Sequence, residues 1–143
     1  AKEKGVSIYL PIDSIIADQF SATANIKNSP SDAIPENWMA LDIGARACID
    51  FETVLLNSKT ILWNGPMGVF EMEAFEIGTK SVAYAVATAT KSGAFSLIGG
   101  GDSAAAIMKF GLEDEVSYVS TGGGALLEYF EGKILPGIAA IKA

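Results

Sequence analysis

The sequence predicts an α/β fold in which a parallel sheet carries helices on both of its faces. Short apolar runs alternate along the chain with longer segments of helical periodicity, an order that is typical of parallel sheets. Glycine-rich loops follow two of the predicted strands and open directly into helices. With 143 residues, half of them hydrophobic, the chain is long enough for one domain with a real core.

Apolar runs bounded by turn residues predict four buried strands. These strands are residues 6–10, 59–63, 94–98 and 116–119. The segment at residues 29–35 contains two prolines and two serines, so it is predicted to be a loop.

Helical spacing of apolar residues predicts four helices. They cover residues 42–57, 72–91, 103–110 and 125–130. The apolar side of the first helix is predicted to contain Ala45, Cys48, Ile49, Leu55 and Leu56. The inward stripe of the second helix is predicted to contain Phe75, Thr79, Val82, Val86 and Ala89.

Composition and charge exclude several classes of function. The chain contains ten basic and seventeen acidic residues, which gives a net charge of -7. This charge argues against nucleic acid as a partner. It allows a nucleotide that is held by backbone N–H groups. The absence of histidine and the single cysteine, Cys48, exclude histidine catalysis, histidine metal sites and an internal disulfide. Without a membrane-spanning run or a signal-peptide stretch, we expect no membrane partner and a cytoplasmic location.

Three predicted loops, at residues 64–70, 99–103 and 120–124, follow three predicted strands. In open parallel sheets such loops meet at the carboxyl edge, where ligands bind. The last two are glycine triplets that open into helices, and a helix N-terminus offers unpaired N–H groups to an anion. One triplet alone would indicate a tight turn. Two triplets beside an Asn-Gly-Pro turn favour a phosphate or nucleotide site.

The polar residues of these loops each admit two interpretations. Asp102 is either the N-cap of the following helix or a ligand of Mg²⁺, which favours one or two carboxylates with phosphate oxygens. Ser103 either caps the same helix or donates its hydroxyl to a phosphate. Asn64 either shapes a turn or donates to a phosphate oxygen. Glu71 either favours the positive end of a helix dipole or accepts hydrogen bonds from ribose hydroxyls.

Four other residues are assigned to structural roles. Trp63 and Phe70, beside a strand end, are predicted to pack in the core. Cys48 lies on an apolar helix face and is predicted to be structural. Arg46 is predicted to lie on the surface.

Several segments resemble the phosphoglycerate kinase family. Residues 61–71, ILWNGPMGVFE, are similar to the family's most characteristic segment. Residues 98–103, IGGGDS, and residues 120–125, STGGGA, resemble its two glycine loops. Residues 10–13 and 38–44 also fit, so the resemblance covers nearly the whole chain.

The resemblance implies reversible, Mg²⁺-dependent phosphoryl transfer between 1,3-bisphosphoglycerate and ADP, giving 3-phosphoglycerate and ATP in glycolysis. It implies two Rossmann-like domains, with residues 1–143 as part of the C-terminal, nucleotide-binding one. It implies ATP or ADP contacts for Ala40, Leu41, Asn64, Glu71, Gly100, Gly101, Asp102 and Ser103. Asp102 would also hold the metal, and Gly123 and Gly124 would be catalytic, aiming N–H groups at the transferred phosphoryl group.

The resemblance also implies what is missing. The family's N-terminal domain, with its phosphoglycerate-binding arginines, and a loop with phosphate-binding lysines have no counterpart in the sequence. The chain begins without methionine, in strand-like residues, so we expect a piece of a kinase that is monomeric when whole and inactive as this piece alone. A stand-alone nucleotide-binding module and a purely structural fragment stay open as alternatives.

Overall fold

The computed structural model describes residues 1–142, which form two three-stranded sheets and five α-helices. The strands are β1 (Asp13–Ala17), β2 (Ile26–Pro30), β3 (Met39–Ile43), β4 (Thr60–Asn64), β5 (Phe95–Gly99) and β6 (Tyr118–Ser120). The helices are α1 (Ala45–Leu56), α2 (Ile77–Lys91), α3 (Gly101–Lys109), α4 (Gly123–Phe130) and α5 (Pro136–Lys142). None of the helices in this part of the chain has the length and apolar character needed to cross a bilayer.

Strands β4, β5 and β6 form a parallel sheet in that order. Helices α2 and α3 connect them, which confirms the predicted α/β fold. Trp63 pairs with Ile98, and Ile98 pairs with Val119, so the three strands end level with one another. Their carboxyl ends therefore form one edge, and the loop after each strand leaves from that edge.

The main core lies on one face of the parallel sheet, against α2 and α3. The stripe predicted for the second helix is buried: Phe75, Thr79, Val82, Val86 and Ala89 are each at most 5% exposed. Burying a valine or phenylalanine side chain, such as Val82, Val86 or Phe75, stabilises the fold by roughly 1.5–3 kcal/mol. The hydrophobic periodicity of this segment therefore correctly identified its inward face.

The opposite face of the parallel sheet is covered at its carboxyl end by α4. A Cβ on Gly99 would lie 2.8 Å from Leu126 Cδ2 of that helix. Further from this end, Leu62, Phe95 and Tyr118 are 42%, 53% and 61% exposed. This face therefore presents apolar side chains to solvent in the described part of the chain.

The antiparallel sheet β2-β1-β3 was not predicted from the sequence. Its strand β2 takes up Ser29 and Pro30, the first two residues of the predicted loop. Ser29 is the one buried residue of β2, so the strand lacks the alternating apolar pattern from which strands are recognised.

Two aspartates of this sheet supply acceptors to the first turns of α1 and α2. Asp13 of β1 accepts the N–H groups of Ala47 at 2.8 Å and Arg46 at 3.3 Å. Asp42 of β3 accepts the N–H group of Gly78 at 2.7 Å. These carboxylates satisfy orphan N–H groups and lie at the positive ends of the helix dipoles. The antiparallel sheet therefore fixes the starts of both helices.

The same two carboxylates have pKa values shifted in opposite directions. Burial raises the pKa of Asp13, but the hydrogen bonds that it accepts, above all from Ala47, outweigh this effect and hold its pKa below the ordinary value. Burial outweighs the hydrogen bonds of Asp42 and raises its pKa to about 6. Asp42 is therefore a buried acid that titrates close to neutral pH.

Residues 6–10, predicted as a buried strand, form no strand, and their side chains are exposed. A strand requires a neighbour for its backbone N–H and C=O groups. Within residues 1–142, neither sheet pairs with this segment. The prediction was wrong because an apolar run alone does not provide a pairing partner.

Two helix starts were also placed too early. The first helix begins at Ala45 and not at residue 42, because Asp42 and Ile43 still pair in β3. The second begins at Ile77 and not at residue 72, because a short 3₁₀ turn, Glu73–Phe75, precedes it.

The predicted apolar side of α1 is correct only in part. Cys48 is buried, as predicted, but its buried neighbour is Ala47, and Ile49 is 63% exposed. Trp63 and Phe70 are each 5% exposed, which confirms their predicted place in the core. Of the other residues predicted on the apolar side of α1, Ala45 and Leu56 are exposed, while Leu55 is partly buried against the main core.

The raised pKa of Asp42 predicts a pH-dependent difference in stability between the protein and its Asp42→Asn variant. A group with a raised folded-state pKa stabilises the fold fully below its ordinary value of 3.8, and this contribution is lost as the pH rises through about 6. The melting temperature of the unsubstituted protein relative to the variant should therefore fall between pH 4 and pH 7. Thermal melts across this range measure the difference. Asp13 and Cys48 titrate in both proteins, so a difference independent of pH would contradict the prediction.

Candidate functional site

Three loops meet where the parallel strands end. Gly100, after β5, donates its N–H group to Ser120 O of β6 at 3.0 Å. Asn64, the last residue of β4, reaches toward the same point, since its Oδ1 would lie 2.6 Å from a Cβ on Gly100. Gly123, the first residue of α4, packs there as well, because its own Cβ would lie 2.5 Å from Gly100 Cα. The structure thus brings together three of the predicted site residues.

Four glycines of the two triplets fall into two groups. Gly100 has a φ of 94° and Gly123 is buried against it, so packing alone requires both to be glycine. Gly101 and Gly124 face open space, where a Cβ would meet no atom within 4 Å. A tight turn explains why Gly100 and Gly123 are glycines, but it does not explain why Gly101 and Gly124 are. Lacking a side chain, Gly101 and Gly124 leave the backbone open to a ligand.

Helices α3 and α4 begin at this edge without a side-chain cap. The N–H groups of their first turns are therefore available, and each helix directs the positive end of its dipole toward its start. Two such N-termini beside one another form an environment that suits an anion.

Asp102 is the second residue of α3, and its side chain is exposed. The N-cap residue is Gly100, so the interpretation of Asp102 as the N-cap is wrong. The metal interpretation stays a prediction. No group of three or more His, Cys, Asp or Glu side chains in residues 1–142 could hold a metal ion. A single carboxylate fits Mg²⁺ when phosphate oxygens and water complete the coordination.

The irregular loop after β4 is held by hydroxyl groups from two helices. Ser103 Oγ of α3 accepts the N–H group of Gly65 at 2.6 Å. Thr79 Oγ1 of α2 accepts the N–H groups of Met67 and Gly68, both at 3.1 Å. Ser103 and Thr79 are fully buried, while the loop residues that donate to them are half-buried. The hydroxyl oxygen of Ser103 is thus engaged with the loop, while its predicted role toward a phosphate stays a prediction.

Strand β3 holds the same loop from the other side. Leu41 O accepts the N–H group of Val69 at 2.9 Å. Ala40 and Leu41 line a cavity of about 340 Å³ together with residues 66–69 of the loop. The loop approaches β3 so closely that a Cβ on Gly68 would collide with Asp42 Oδ1. The residues predicted to border adenine therefore line the same cavity as the loop.

Glu71 follows this loop directly, and its side chain is exposed. It does not begin α2, which starts at Ile77 after an intervening 3₁₀ turn. The interpretation of Glu71 as a partner for the helix dipole therefore loses its basis. Its ribose interpretation stays a prediction.

Two residues that support the candidate site were not identified from the sequence. Thr79 was assigned to the inward stripe of α2, but not as the acceptor that holds the loop. Its polar side chain in an otherwise apolar stripe is the signal that could have identified it. Asp42 was assigned to a helix. Its role depends on the antiparallel sheet, for which the sequence carries no clear pattern.

Comparisons with known proteins agree over nearly the whole chain. The family model described as phosphoglycerate kinase matches residues 1–133. Phosphoglycerate kinases from Porphyromonas gingivalis and Chloroherpeton thalassium are 58% and 57% identical over 142 residues, which is 99% of this chain. The matched regions are 34% and 36% of those proteins.

Solved structures of phosphoglycerate kinases share the fold. The structure from Coxiella burnetii has a TM-score of 0.86 at 47% identity, covering 93% of this chain and 34% of that one. The structure from Pyrococcus horikoshii has a TM-score of 0.77 at 35% identity, covering 92% of this chain and 32% of that one. This chain therefore spans about a third of the length of its relatives. It belongs to the phosphoglycerate kinase family.

Proposed function

We propose that this chain is the C-terminal, nucleotide-binding part of a phosphoglycerate kinase. The whole enzyme would transfer a phosphoryl group reversibly between 1,3-bisphosphoglycerate and ADP, giving 3-phosphoglycerate and ATP in glycolysis. The observation that carries the nucleotide assignment is the meeting of two uncapped helix N-termini with Asn64 at one edge of the sheet. The family membership supplies the reaction.

The phosphates would lie over the starts of α3 and α4. Gly100 and Gly101 would follow the phosphate chain, and Asn64 would donate its side-chain amide to it. Gly123 and Gly124 would direct N–H groups at the transferred phosphoryl group. Because the backbone N–H groups belong to the helix starts that pack together at Gly100 and Gly123, they would need little rearrangement as charge develops, which is the main protein contribution to phosphoryl transfer.

The nucleoside would lie toward the cavity between β3 and the loop after β4. Ala40 and Leu41 would border the adenine, and Glu71 would accept hydrogen bonds from the ribose hydroxyls. The cavity volume of about 340 Å³ is at the lower end of the range of small-molecule sites. The resemblance places a glycine at the position of Ala40, so its methyl group would narrow the adenine site slightly.

Asp102 would hold Mg²⁺ together with phosphate oxygens. The bound ion would offset negative charge on the phosphates during transfer. Its presence also resolves an electrostatic conflict, because an exposed carboxylate at this point would otherwise repel the nucleotide. Ser103, engaged with the loop, would align the α3 N-terminus beside the phosphates.

The rest of the enzyme would supply the positive side chains. None of the three loops, at residues 64–70, 99–103 and 120–124, contains lysine or arginine. Binding of the phosphoglycerate would be the task of the N-terminal domain, with its basic residues. This chain would therefore supply one side of a reaction centre that the other domain completes.

Asp102→Asn in a full-length phosphoglycerate kinase that carries this chain tests the metal assignment. Turnover should fall by about a hundredfold, because loss of one charge-stabilising group at a reaction centre has an effect of this size. The melting temperature should change little, since Asp102 is not the helix cap. Asp114→Asn, at another exposed aspartate, is the matched control. Near-normal turnover across a Mg²⁺ titration would refute the assignment.

Gly124→Val in the same full-length enzyme tests the position of the reaction centre. A Cβ at this position would meet no atom within 4 Å, but the side chain would block a ligand that approaches the backbone closely. We expect kcat to fall by about a hundredfold while the KM for nucleotide changes by less than about threefold. The control is Gly137→Val, because Gly137 is likewise the second residue of its helix and faces open space. Normal turnover with impaired nucleotide binding would show that another loop contacts the transferred group.

This chain alone should show no measurable kinase activity and at best weak Mg-nucleotide binding, because the donors and the proximity provided by the other domain are missing. A coupled kinase assay tests the purified chain with and without the unmatched part of the Porphyromonas gingivalis relative. Mixing the two should restore part of the activity. Substantial activity of the chain alone, in a preparation free of contaminating kinase, would overturn the proposed division of labour.

A further inference from the structure

The last residue of α3, Lys109, holds the carbonyl group that precedes Glu71. Its Nζ donates a hydrogen bond to Phe70 O at 2.5 Å. The same atom lies 6.0 Å from the centre of the Phe70 ring, and Phe70 itself is buried. The Lys109 ammonium group therefore interacts with both the main-chain carbonyl and the aromatic ring of Phe70, at the end of the loop after β4.

Glu76 fixes the position of the Lys109 side chain. Glu76 is the N-cap residue of α2, and its Oε2 lies 2.7 Å from Lys109 Nζ. The side chain of Glu76 is only 13% exposed, so water screens this pair less than a fully exposed one. Lys80 approaches the other carboxylate oxygen at 3.9 Å. Of these two lysines, Lys109 is the one that also hydrogen-bonds to the loop.

The opposite end of α3 holds the opposite end of the same loop. Ser103 Oγ accepts the N–H group of Gly65 at 2.6 Å, and Lys109 donates to Phe70 O. Ser103 and Lys109 are separated by about 9 Å along the axis of a helix. One rigid element thus sets the distance between the two ends of the loop, and its N-terminus carries Gly101 and Asp102.

We propose that Lys109 is a positioning residue for nucleotide binding, because it fixes Phe70, and with it Glu71, at a set distance from the start of α3. This inference rests on the proposed function, in which Glu71 contacts the ribose and the start of α3 contacts the phosphates. A ligand that binds at both places gains affinity when their separation is fixed before it arrives. A surface ion pair without this role would affect neither the loop nor the nucleotide.

Hydrogen exchange of the ligand-free full-length enzyme tests the first step of this inference. Lys109→Met removes the ammonium group but keeps an apolar stem of similar length. We expect the amides of residues 69–72 to exchange at least about fivefold faster in this variant. Lys80→Met is the matched control, because it removes a cation beside the same carboxylate but not the bond to Phe70 O. Equal exchange of these amides in the two variants overturns the inference.

Steady-state kinetics of the same proteins test the second step. Lys109→Met should raise the KM for nucleotide by about tenfold and leave kcat and the KM for phosphoglycerate within about twofold. Lys109→Arg should recover most of the affinity, because its guanidinium can still donate to the carbonyl. A more mobile loop with an unchanged KM for nucleotide overturns the inference. If the unsubstituted enzyme fails to bind Mg-nucleotide, the proposed function itself is wrong, and the positioning role falls with it whatever the exchange shows.

Discussion

The irregular loop after β4 is the constraint on which the candidate site depends. Its residues 65–70 lie outside the strands and helices, so their N–H groups have no partner in a regular hydrogen-bond ladder, and a buried N–H group without a partner costs about 1–3 kcal/mol. Ser103 of α3, Thr79 of α2 and Leu41 of β3 provide the acceptors instead. Each hydrogen bond also fixes the loop relative to the element that supplies it. These hydrogen bonds therefore fix one strand and two helices relative to one another around the candidate site.

Asp42 shows that this positioning has an energetic cost. Its carboxylate accepts the N–H group of Gly78 and lies against Gly68 of the loop, so one buried group joins β3, α2 and the loop. Burial raises its pKa to about 6, which means that the charged form is held at the expense of stability near neutral pH. Asp13 performs the corresponding capping at α1 with a lowered pKa, because hydrogen bonds outweigh burial there. Two aspartates with the same capping role thus affect stability in opposite ways.

The sequence predicted the parallel sheet, the inward stripe of α2 and the meeting of Asn64, Gly100 and Gly123, because each follows from local periodicity or from strands that end at one edge. It did not predict the antiparallel sheet, whose mostly polar strand β2 is defined by its pairing with β1. The supports of the loop were missed for the same reason. Thr79 reaches the loop only because α2 packs beside it, and no spacing in the sequence encodes that contact. Long-range side-chain to backbone hydrogen bonds are thus the part of the site that local patterns leave out.

The charge distribution explains why the proposed function requires several components to act together. The three loops offer backbone dipoles but no lysine or arginine, and the one acidic residue among them, Asp102, opposes an anion. Each helix dipole is equivalent to about half a charge at most, which is less than a nucleotide's phosphates carry. Mg²⁺ at Asp102 would turn that local repulsion into attraction. Basic groups from the other domain would supply the rest of the positive charge that the phosphates require. In the proposed enzyme, the nucleotide, the metal and the other domain would therefore stabilise one another, because each would offset charge that the others leave exposed.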